Sequence, residues 1–185
     1  MNVPHRQQQG TVRTFIHPSP APNFIEVSTG EVRTGGTGTV LTASALGSCI
    51  AVSALDPEAE QGCMAHVMLP GRAPSETAHD RLRYAENAID ELLRLLEAAG
   101  ADRDRLCIVI AGGGNVLERS DDRICGQNIR SVADALTARR LAIRAQDVGG
   151  TLRRKVHLDP GAGRIACIRG DGPELILWRR QLPQT

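Results

Sequence analysis

Aromatic side chains are nearly missing from this 185-residue chain: Phe15, Phe24, Tyr84 and Trp178 are all it has. Proteins that grip single-stranded nucleic acid stack bases on aromatic rings, so that mode of recognition has little to work with. Excess charge is lacking too. The 22 basic and 21 acidic residues leave a formal net charge of +1, with Lys155 the one lysine. Such a balance gives no electrostatic footprint for nucleic acid or for an anionic membrane surface. The short runs Arg139-Arg140 and Arg153-Arg154-Lys155 carry no interleaved aromatics and read as solvated faces. Long apolar runs are also absent, since Leu92 to Leu96 is broken by Arg94 and falls far short of the roughly 20 residues that a bilayer span requires. The first residues lack an apolar stretch with a small-residue cleavage signature. The expectation is a soluble, cytoplasmic protein with no membrane insertion and no nucleic-acid partner.

Metal and nucleotide signatures are incomplete. Cys63-Met64-Ala65-His66 has the spacing of half a zinc site, but no second CxxC or HxxxH cluster follows. Ala111-Gly112-Gly113-Gly114-Asn115 lacks both the GK[ST] ending and full GxGxxG spacing. We therefore expect no metal and no cofactor, and read Gly112 and Gly113 as a tight turn or a wall close to an active site. The five cysteines, Cys49, Cys63, Cys107, Cys125 and Cys167, make an odd count. Free thiols in a reducing compartment are the natural reading.

What the chain does have is an organised alternation of short apolar segments and turns. Residues 1–22 are rich in Gln, Pro and Ser without an apolar period and are expected to form a disordered arm. Residues 23–185 are expected to form a single domain, a length ample for a buried core. Strands are predicted near 25–27, 38–41, 49–55, 63–69, 106–110, 142–148, 152–157, 164–169 and 174–178. Asp56-Pro57 reads as the turn between the third and fourth of these. A helix is predicted over 80–99, where Ala85, Ala88, Ile89, Leu92, Leu95, Leu96 and Ala99 recur at helical spacing and Gly100 suits the C-terminal end. A second is predicted over 128–139, with Asn128 as its N-cap and Ile129, Val132, Ala133 and Leu136 on its apolar face. Strands outnumber helices and adjoin one another, so the predicted class is α+β, a mixed or antiparallel, sandwich-like β core flanked by helices. No exposed heptad is left over, and a monomer is the default.

Two segments carry chemistry. Leu46-Gly47-Ser48-Cys49 presents a thiol after two small residues, and Ala65-His66-Val67-Met68-Leu69-Pro70 presents an imidazole seventeen positions after the cysteine. A thiolate nucleophile needs an imidazole or another cation to hold it ionised. Neighbouring strands would let the two side chains meet across a hairpin. The backbone N–H groups of Ser48 and Cys49 are candidates for an oxyanion hole. Read singly, Cys49 and His66 fit ordinary core positions better than catalytic ones.

LGSCIAV at 46–52 and AHVMLP at 65–70 resemble the chemoreceptor glutamine deamidase family, CheD. The likeness extends, in order, to Ile110-Ala111-Gly112-Gly113, to Gly126-Gln127-Asn128 and the following residues, and to Asp147-Val148-Gly149-Gly150, covering about 24–169. Cys125 stands where the family usually has its glycine. The resemblance implies a protein-glutamine glutaminase, an amidohydrolase that converts glutamines on the cytoplasmic helices of bacterial chemotaxis receptors to glutamates. Hydrolysis of receptor methyl esters is a further implied activity. It implies Cys49 as nucleophile and His66 as base, no cofactor, a fold similar to toxin-type cysteine deamidases, and a CheC-type phosphatase as a second partner. The family's third site residue is a threonine six positions before the cysteine. That position is Ala43 here, leaving Ser44, and after it Thr42, as substitutes if a bulge re-aims the strand. The alternative expectation is a catalytically weak module that docks on chemoreceptors or on the phosphatase.

Overall fold

The computed structural model describes residues 21–75 and 80–181. The residues expected to form a disordered arm lie, up to position 20, outside the described residues. Continuous apolar runs need cover on both faces, and this chain supplies it with three layers. One five-stranded sheet holds β1 (Asn23–Glu26), β3 (Thr39–Leu46), β8 (Arg154–Asp159), β9 (Arg164–Arg169) and β10 (Glu174–Arg179), in that spatial order. The other holds β2 (Val32–Gly35), β5 (Gln61–Val67), β4 (Ile50–Asp56), β6 (Cys107–Gly112) and β7 (Ile143–Val148). Most pairings are antiparallel, with β1/β3 and β6/β7 parallel.

The pleat sorts alternate residues into two cores. Ile50, Val52 and Ala54 of β4, Cys63, Ala65 and Val67 of β5, and Ile108 and Ile110 of β6 meet the helices α1 (Ala85–Ala98) and α2 (Ile124–Ala138). The intervening residues, among them Ala51, Met64, Val109 and Ala111, meet Leu41, Ala43, Val156, Leu158 and Ile165 of the first sheet. This is the expected α+β sandwich with helices on one flank. No helix among the described residues is long and apolar enough to cross a membrane.

Three departures from the sequence reading have local causes. Helix α1 starts at Ala85, not at residue 80, because the chain before it is committed elsewhere: Met68 and Leu69 both donate to the Arg83 carbonyl, and Ala85 donates to Leu69. Helix α2 starts at Ile124, four residues early, with the Asp122 carboxylate accepting from the Ile124 N–H at 3.0 Å. Asn128 is thus no cap but an interior residue whose side chain is free to reach across. β2 was not anticipated, since its four residues take their pairing from β5 rather than from a pattern of their own.

Candidate active site

β3 enters the site through an irregularity. Its pairing with β8 shifts register between Ala43 and Leu46, and Ala45 adopts a positive φ of 54°, the extra-residue geometry of a bulge. The following residues, Gly47, Ser48 and Cys49, turn their three carbonyls into the protein. Gly114 N–H donates to Gly47, the Asn128 amide to Ser48 at 2.9 Å and Gly113 N–H to Cys49. Their own N–H groups donate to no described residue. A loop with carbonyls tied back and amides free is an anion-accepting arrangement. Gly112 makes it possible: at φ +124° an added Cβ would stand 2.1 Å from the Cys49 carbonyl oxygen.

Cys49 is half-buried and packs against the core between the sheets, the side to which β5 turns Met64 and then His66. The β4/β5 ladder pairs Ile50 with Val67 and Ala51 with His66. Cys49, one step before Ile50 and just past the end of the ladder, packs toward the same side of the sheet as His66. The hairpin sets the two residues that the sequence singled out on one side of the sheet. Cys63 lies on the opposite face of β5, in the helix-side core, so it and His66 do not converge on a common point.

The imidazole is buried, with 5% exposure. Its Nδ1–H donates to the Val27 carbonyl at 2.9 Å, which leaves the Nε2 lone pair as the base in the neutral ring. The Thr29 hydroxyl stands 3.4 Å from Nε2, and no bond from Cys49 to His66 is present among the described residues. Burial lowers the His66 pKa from its ordinary value, opposed by the Val27 bond and by the charges of Glu26 and Glu31. Burial likewise pushes the Cys49 thiol up. Both directions favour the uncharged forms, a thiol at Cys49 and a neutral ring at His66. A recess of about 320 Å³ opens beside the loop, lined by Gly47, Ser48, Gly114, Val116, Leu117 and Arg153 among others.

Comparison with known proteins decides the family. The family described as CheD chemotactic sensory transduction matches residues 68–169. A probable chemoreceptor glutamine deamidase CheD from Chlorobium luteolum is 41% identical over 150 residues, covering 81% of this chain and 75% of its own. The chain belongs to the CheD family. A second relative of the same description, from Rhodopseudomonas palustris, is 35% identical over 88% of this chain and 77% of its own. The chemoreceptor glutamine deamidase CheD of Thermotoga maritima is 33% identical over 73% and 85%.

In this CheD-family chain neither hydroxyl offered as a third residue bonds His66. Ser44 is held by Glu26, its hydroxyl donating at 3.0 Å and its N–H at 2.8 Å. Thr42 pairs across the ladder with His157, and its hydroxyl oxygen is buried without a partner among the described residues. Ala43 itself sits in the core between the sheets. The acceptor on the imidazole is instead a main-chain oxygen, that of Val27, itself anchored by its N–H donating to Thr42 at 2.7 Å. Sequence reading could not find it, because a carbonyl carries no residue signature.

Proposed function

We propose that the chain is a chemoreceptor glutamine deamidase, with Cys49 as nucleophile and His66 as general base and acid. The observation that carries this reading is that Cys49, one residue before β4, packs toward the same inter-sheet side of the β4/β5 hairpin as His66, beside a loop whose N–H groups donate to no described residue. Names borne by the relatives support the substrate class.

His66 Nε2 takes the Cys49 proton as the sulfur attacks the side-chain amide carbon of a substrate glutamine. The oxygen of the tetrahedral intermediate gathers negative charge, which the Ser48 and Cys49 N–H groups stabilise. Collapse breaks the C–N bond, and the imidazolium returns its proton to the departing nitrogen, releasing ammonia and leaving a glutamyl thioester on Cys49. Water, deprotonated by the same Nε2, then hydrolyses the thioester to glutamate and regenerates the thiol. A glutamyl methyl ester enters the same thioester with methanol as leaving group. The Val27 carbonyl keeps Nδ1 protonated throughout, so that Nε2 is the atom that cycles. We expect the substrate to be the exposed helical surface of a receptor's cytoplasmic part, reached from the open recess beside Ser48.

The test is release of ammonia from a receptor cytoplasmic fragment incubated with the protein. The reading expects release matched by new glutamate, lost in His66→Ala. Tight binding without ammonia would favour the alternative of a docking module for receptors or a CheC-type phosphatase.

A further inference from the structure

The β4/β5 ladder stops short of the chemistry. Its last rung is Ile50 with Val67; alternate N–H groups face opposite neighbours, and the next that could cross to the Cys49 side, that of Leu69, donates to the Arg83 carbonyl at 2.8 Å instead. Cys49 therefore lies beyond the last rung of the ladder, where strands are free to splay. One side chain bridges this gap. The Asn128 amide nitrogen donates to the Ser48 carbonyl and to the Met68 carbonyl, each at 2.9 Å. Ser48 precedes the nucleophile, and Met68 is two residues past the base.

Both protons of one planar amide are used, which fixes the two carbonyls relative to each other in distance and direction. The residue is fully buried and its Oδ1 has no partner among the described residues. An unpaired buried acceptor is destabilising, and the neighbouring positions facing the same core, Val132 and Leu136, are apolar. Packing alone gives no reason for an amide here. We infer that Asn128 is a positioning residue, an artificial rung that holds the Cys49 loop against the His66 strand at the spacing proton transfer requires. This inference rests on the reading of Cys49 and His66 as a nucleophile and its base. Misplacement of reacting groups by about 1 Å can cost on the order of a hundredfold in rate, so the clamp's effect should be seen in turnover and thiol reactivity more than in substrate affinity.

The experiment follows alkylation of Cys49 by iodoacetamide across pH, peptide by peptide, in wild type, His66→Ala, Asn128→Ala and Asn128→Ser. Near neutral pH the expected result is at least a tenfold loss of Cys49 reactivity in Asn128→Ala, with its pH profile moved onto that of His66→Ala while the circular dichroism stays native. Asn128→Ser, with a single donor, should fall between, and it decides the matter if Asn128→Ala does not fold. Ser131→Ala is the control for a merely structural bond from the same helix, since Ser131 accepts from Gly71 N–H at 2.7 Å; it should leave the profile unmoved. A folded Asn128 variant with the wild-type profile overturns the inference, as does a wild-type profile that coincides with His66→Ala. Profiles as expected with receptor glutamines untouched would sink the deamidase reading and leave the clamp standing. Deamidation at wild-type kcat by Asn128→Ser and Asn128→Ala would do the reverse.

Discussion

His66 Nδ1–H donates to the Val27 carbonyl at 2.9 Å, and this bond fixes which nitrogen of the ring is the base. A main-chain acceptor holds the ring independently of the side chain at position 43. Restoring a threonine there should therefore bring no gain. Ala43→Thr places a hydroxyl in a fully buried core position and should lower stability by about 1–3 kcal/mol through overpacking and an unpaired polar group, with kcat unimproved. A tenfold rise in kcat would show that the Val27 carbonyl does not fill the role.

The five thiols should differ sharply in reactivity. Cys49 is half-buried, whereas the other four are buried. Burial pushes Cys107 and Cys167 up to about 12, and burial together with the Asp122 carboxylate pushes Cys125 up to about 11. Iodoacetamide under native conditions should modify Cys49 first, as read by peptide mass spectrometry. Equal labelling of Cys125 would contradict this account.

The pH dependence of turnover has a definite direction. His66 must be neutral to accept the thiol proton, and burial lowers its pKa below the ordinary 6.5. The acid limb of kcat/KM should accordingly lie below pH 6.5. The alkaline limb should lie above 9, because burial raises Cys49 from that value. The same burial costs stability in acid. The unfolded chain takes up the proton at about 6.5 while the native ring resists, so the His66 contribution is full above that pH and declines below it until the native pKa is passed. An acid limb above pH 7 would contradict a neutral buried base.

A carboxylate far from the site should dominate acid unfolding. Asp56 accepts from Arg105 at 2.7 Å and from the N–H groups of Asp102, Glu58 and Ala59. Although its burial opposes this, the bonds from Arg105 and the backbone hold its pKa near about 2, against 3.8 in the unfolded chain. Its stabilisation is present above pH 3.8 and fades as pH falls toward 2, amounting to roughly 2 kcal/mol. Asp56→Asn should flatten the stability curve over that window in urea titrations, and an unchanged curve would refute the assignment.

Asp147 ties the two sheets together. Its carboxylate accepts from Arg154 at 2.9 Å and from Arg169 at 2.7 Å, with Arg154 itself buried. Removing it leaves an uncompensated buried guanidinium, so Asp147→Ala should lose roughly 3–5 kcal/mol. A loss below about 1 kcal/mol would mean that Arg154 finds water instead.

The sequence disclosed this fold through pattern and hid it where tertiary context decides. Cys49 to Leu55 and Leu106 to Ile110 announced themselves as strands, since apolar runs bounded by turns have few other homes. The hairpin that joins Cys49 to His66 followed from Asp56-Pro57 and from two strands of similar length. β2 left no trace, because Val32 and Gly35 owe their conformation to β5. Asn128 looked like a cap from its residue type alone, and only the position of Ser48 and Met68 revealed its use. The partner of the imidazole was unreadable for a simpler reason: every residue has a carbonyl.

The most direct test of the nucleophile is mass spectrometry of a glutamine-bearing receptor cytoplasmic fragment, scored glutamine by glutamine after incubation with wild-type protein or with Cys49→Ala. The account predicts conversion of amide to acid at selected glutamines by the wild type and none by the variant. Conversion by Cys49→Ala at a wild-type rate would contradict it.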